Sequence, residues 1–158
     1  MLSTKRLFNL MASSLLISLL SLGLALSSMS VRVAASAELI QSAVTAYQTI
    51  GTLRREVPIN GDAIAAAYAG DLQALTQEVD VANVLELHND IQGAINDIKN
   101  GKAPALAAQV VDKTLQRVFY QIIWNRISAI RNEFQSGASS TLFSMLDEAE
   151  AAFNAIKG

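Results

Sequence analysis

From Pro104 to Ser136 the chain runs for 33 residues with no glycine or proline after the first position. No alternation of period two competes with it, so the span reads as one helix, about 50 Å long at roughly 1.5 Å per residue. Proline suits the first turn of that helix, because its missing N–H has no partner there anyway. A compact domain of the size available has a radius of gyration near 14 Å and is about 35 Å across. The helix outruns that width. Either the bundle is elongated, or this helix bends or protrudes at one end.

The rest of the chain is helical too. Ile40, Ala43, Val44, Tyr47, Ile50 and Gly51 share one face of a helix over Glu38–Glu56, and Pro58 with Asn60-Gly61 breaks it. Asp62–Ala69 reads as a short helix stopped by Gly70, and Asp71 opens another through Val79 with Leu72, Leu75 and Val79 in register. Asn83 and Glu86 form a capping-box-like start. The helix behind them buries Val84, Leu87, Ile91, Ile95 and Ile98, and Gly101 ends it. After Gly137, Ser139 or Ser140 caps a last helix through about Lys157. The expected fold is all-α: an elongated bundle of about five helices, with the helix at about 104–136 as its spine.

The N-terminal segment has a different composition. Lys5 and Arg6 precede an apolar stretch from Leu7 to Met29, and Ala35-x-Ala37 precedes Glu38. These are the parts of a secretory signal peptide, which assigns residues 1–37 to export and residues 38–158 to a single helical domain. The apolar stretch is long for a signal and long enough to span a bilayer, and Arg32 interrupts the approach to the cleavage site. An uncleaved anchor is the alternative, disfavoured by Ser13, Ser14, Ser18, Ser21, Ser27 and Ser28. Either outcome exports the domain, and the expected location is periplasmic or secreted; membrane attachment follows only if the signal stays uncleaved.

Cleavage leaves 121 residues with nine basic and fourteen acidic side chains, a net charge of −5. Nucleic acid calls for a basic footprint, so it is not an expected partner. Without cysteine there are no disulfides, no thiolate metal site and no covalent c-type haem. Charge is unevenly spread: Glu38–Ile98 carries −7, Lys99–Gln135 +4 and the remainder −2.

The long helix holds the candidate sites. Val111, Leu115, Val118, Phe119, Ile122, Ile123, Ile130 and Phe134 fill its apolar arc. Asp112, Arg126 and Glu133 fall inside that arc and need partners, since an unpaired buried charge costs several kcal/mol. They are candidate ligand-binding residues, with Arg126 as an anion-binding group in an interior pocket. The competing reading, which we favour, takes Arg126 to the rim or pairs it with an acid from another helix.

Roughly opposite the arc, Lys113, Arg117, Tyr120, Trp124 and Arg131 lie along one line. Exposed Trp, Tyr and Arg dominate binding hot spots, so these five are candidate partner-binding residues. Leu106 and Val110 fall on the same side, however. That predicts a helix covered on two faces, its aromatics packed against a neighbour.

His88 is the single histidine, which excludes a zinc site built on two or three of them. Glu86, Asp90 and Asp97 share a helix face that His88 does not, so the Glu86–His88–Asp90 run is not a metal site, and a locally bonded helix-edge histidine is expected. It stays a ligand-binding candidate for a polar cavity. A haem between His88 and Met145 or Met11 has no further support. Ser136, Ser139, Ser140 and Ser144 lack a nucleophile-elbow context, and no phosphate-binding glycine loop follows a strand. No catalytic residue, cofactor or metal is assigned. The expected function is that of an exported, non-enzymatic accessory protein binding another protein of the cell envelope. The alternative is a small-ligand- or metal-binding bundle with a polar interior site around Arg126.

Overall fold

The computed structural model of the chain describes residues 37–136 and 141–157. The chain divides into Met1–Ala35 and a compact unit, Ser36–Gly158; all that follows concerns the second. The export signal and the serines proposed as caps, Ser139 and Ser140, lie outside the described residues.

The fold is all-α, with six helices and no strand among the described residues. Helix α1 spans 37–53, followed by α2 (Gly61–Tyr68), α3 (Asp71–Asn83), α4 (Leu87–Lys99), α5 (Pro104–Ser136) and α6 (Leu142–Ile156). None of them is long and apolar enough to cross a membrane. As read from the sequence, α2 and α3 are separate helices divided at Gly70, whose φ of +87° no side-chain-bearing residue adopts cheaply.

Helix α5 is the spine. It packs against α3, α4 and α6, and its buried residues Val111, Leu115, Val118, Phe119 and Ile122 belong to one core with those of the other helices. In α1 that core takes Ile40, Ala43, Val44, Tyr47 and Ile50, the face read from the sequence. The arc of α5 is shorter than expected. Ile123 and Ile130 are half-buried and Phe134 is 77% exposed, so no described side chain of α5 beyond Ile122 is buried. The helix is simply longer than the core it crosses, and its far end has α6 alongside.

Local chemistry sets the other boundaries. Asn60 does not end a structure but starts one: its side-chain oxygen accepts from the N–H groups of Asp62 and Ala63 at 3.1 and 3.0 Å, capping α2. Gly61 lets this end approach α4 closely, because a Cβ there would lie 2.9 Å from the Lys99 backbone nitrogen. The expected capping box at Asn83 and Glu86 does not form. Asn83 instead continues α3 and donates to the Val79 carbonyl at 2.9 Å. The cap of α4 comes from Asp80, whose carboxylate accepts from the N–H groups of Leu87 and His88 at 2.8 and 2.9 Å. Val84, expected in the core, is 93% exposed and left-handed (φ 54°, ψ 55°) as the C-cap of α3. At the other end of α4, Gly101 with φ +68° turns the chain, as read.

Candidate functional site

Two classes of polar residue sit on α5, and the bundle treats them oppositely. The inward class is neutralised by neighbours. Asp112, 5% exposed, accepts from the Tyr47 hydroxyl at 3.1 Å and from Gln116 at 3.3 Å, and pairs with Arg54 at 3.2 Å. Tyr47 packs its ring on Phe119 at 5.3 Å. Burial raises the Tyr47 phenol above its ordinary pKa, the Gln116 hydrogen bond lowers it, and the Asp112 carboxylate raises it further. These contacts satisfy a carboxylate that would otherwise be costly to bury. They were legible in part: Tyr47 and Arg54 are seven apart, hence on one side of α1 and the turn that follows it, opposite a lone acid in an apolar arc.

Arg126, partly exposed, forms an ion pair with the buried Glu148 of α6. Ser144 donates to the same carboxylate at 3.3 Å. Glu148 stands among Ala149 and Ala152 on the buried face of α6, and an acid on such a stripe was the available signal for it. The cavity beside Arg126, lined by Leu75, Val79 and Ile122 among others, measures about 40 Å³. That is room for about one water, not for a small molecule, whose sites run to several hundred Å³. Glu133 accepts a hydrogen bond from Thr141, which ties the C-terminal end of α5 to the start of α6.

His88 is held from another helix rather than locally: the Tyr68 hydroxyl lies 2.9 Å from its Nδ1 and the two rings stack at 5.9 Å. Burial pushes the Tyr68 phenol up to about 12; a hydrogen bond with Thr76 opposes the rise and the Asp80 charge adds to it. No group of three or more His, Asp or Glu side chains that could hold a metal ion exists among the described residues. Asp112, Arg126, Glu133 and His88 are therefore placed at separate points of the bundle, each engaged by protein groups, and no shared cavity brings them together.

The outward class has no such neighbours. Lys113, Arg117, Tyr120, Trp124 and Arg131 are all exposed, Tyr120 at 56% and Trp124 at 59%. The expected second covering of α5 is absent among the described helices, and Leu106 and Val110, which suggested it, are exposed as well. A pattern in one helix cannot reveal whether a neighbour exists to cover it, which is why the residues were legible and their exposure was not. Lys113 donates to Gln116 at 3.0 Å. Among the described residues none of the salt bridges involves Lys113, Arg117 or Arg131. Among the described residues the line thus carries three cations outside any salt bridge and two large aromatics. Beside its N-terminal end, a shallow groove of about 600 Å³ runs between α4 and α5, bordered by Asn89, Asp90, Gly93, Asp97, Leu106 and Val110.

Comparison with known proteins adds no assignment: no family model, curated protein or solved structure matches the chain.

Proposed function

We propose that this chain is an exported, non-enzymatic accessory protein of the periplasm that binds another protein through the outer face of α5. One observation carries the reading: Tyr120 and Trp124 stand in solvent on one line with Lys113, Arg117 and Arg131. Removing large aromatic surface from water is favourable, and aromatic and arginine side chains supply most of the energy at protein interfaces. A small-ligand site around Arg126 has less behind it, since its guanidinium already meets Glu148 beside a cavity of about 40 Å³.

The test is Trp124→Ala, with the partner recovered on the wild-type protein from its native envelope. Binding should weaken by at least about 2 kcal/mol, the hot-spot threshold, while stability changes by less than about 0.5 kcal/mol, as for surface positions generally. Unchanged binding would contradict the proposal. Export is tested separately, by intact mass and N-terminal sequencing: the mature chain should begin at Glu38. Full-length protein found solely in membranes would make Leu7–Met29 an anchor instead.

A further inference from the structure

The exposed line on α5 extends further than its five polar and aromatic residues, and its spacing is regular. Leu106, Val110, Lys113, Arg117, Tyr120, Trp124, Ile127, Arg131 and Phe134 follow one another at alternating steps of four and three. All nine are exposed. A 4–3 repeat is the heptad seam of a coiled coil, in which each seam residue inserts between four residues of a facing helix. Here the seam is sustained over four heptads, about 42 Å at roughly 1.5 Å per residue, and among the described residues no helix occupies it.

We infer, resting on the proposed protein-binding role, that the occupant is one α-helix of an acidic partner protein, laid along α5 as a coiled coil. Three of the nine seam positions are cationic, and none is acidic. Lys113, Arg117 and Arg131 therefore require carboxylates opposite them, because a charge enclosed in a seam without its counterpart is destabilising. Leu106, Val110, Ile127 and Phe134 require apolar residues, and the bulk of Tyr120 and Trp124 calls for small ones, so that large and small alternate across the interface. A seam of period 3.5 drifts about 20° per heptad on a helix of 3.6 residues per turn, so the partner helix follows it left-handed at a crossing angle of about 20°.

Other occupants fit the charges less well. A second copy in parallel sets every seam cation against its own equivalent, and an antiparallel copy centred on the seam's cations brings Lys113 and Arg131 of opposite copies together. Residues 1–37 of this chain contain no aspartate or glutamate to offer. A helix lying on an anionic bilayer buries an apolar face and carries its cations on the polar side, whereas these cations sit on the centre line, between the aromatics.

Site-resolved photocrosslinking of the full chain in its native cells tests this. A photoreactive phenylalanine is placed in turn at Leu106, Tyr120, Ile127 and Phe134, seam positions separated by fourteen, seven and seven residues. The expected result is one partner segment, rich in Asp and Glu, labelled at matching steps of about fourteen, seven and seven residues. Combined Lys113→Glu, Arg117→Glu and Arg131→Glu should cut the yield at least tenfold, and changing the facing acids of the partner to lysine should restore it. Cross-links to one protein without that stepping, or without facing acids, overturn the coiled-coil inference and leave the protein-binding role standing. Cross-links to lipid alone, to a second copy of this chain, or to nothing overturn both.

Discussion

Gly61 and Val84 occupy backbone positions with opposite needs. A Cβ at Gly61 would meet the Lys99 side chain at 2.8 Å and its backbone nitrogen at 2.9 Å, so Gly61→Ala should force α2 off α4 and cost about 1–3 kcal/mol, the range for overpacking. Val84 is the reverse case. A β-branched residue at φ 54° is strained, and at 93% exposure it gains no packing in return. Val84→Gly should therefore stabilise the fold by about 1 kcal/mol, read as a rise of a few degrees in melting temperature; a fall would mean that the valine has an unseen packing role. Tyr68 contributes to the alkaline limit. Its folded pKa is about 12 against about 10 in the unfolded chain, so its contribution is complete below pH 10 and is lost as pH rises toward 12. The loss amounts to about 3 kcal/mol at roughly 1.4 kcal/mol per pH unit. Tyr68→Phe should flatten the fall in stability between those pH values, and a slope unchanged from wild type would contradict this.

Within α5 the burial pattern divides one helix into a packed half and a lightly covered half. Ile122 is the last buried residue, so Ile122→Ala should open a cavity and cost about 2–5 kcal/mol in chemical denaturation. A change under about 0.5 kcal/mol would contradict its place in the core. Amide exchange should follow the same division, slow from Ala107 to Ile122 and faster toward Gln135, since local opening tracks the loss of buried contacts. The helices and their inward faces were legible because apolar residues at three- and four-residue spacing determine a face whatever lies opposite. Three features escaped that reading for one reason: they depend on a second element. The Asp80 carboxylate caps α4 from α3, the Tyr68 hydroxyl reaches His88 from α2, and Phe134, at the margin of the arc, outruns the core.

At the scale of the molecule, charge and exposure coincide. The acidic surplus lies in Glu38–Ile98 and the basic surplus in Lys99–Gln135, and the basic part includes the uncovered face of α5. The inferred acidic partner would be steered toward that face, more strongly at low ionic strength because at physiological salt the field decays over about 8 Å. The candidate site was half legible: its residues were named from their alignment on one helix, but Leu106 and Val110 argued for a covering helix that is not found among the described ones. The binding role depends on that face standing in water. Trp124 is the single tryptophan, so intrinsic fluorescence of the free, full-length protein reports on it without labels. At 59% exposure its emission should be red-shifted and readily quenched by iodide. A blue-shifted spectrum that iodide fails to quench would place the ring in a packed interior and contradict the binding face.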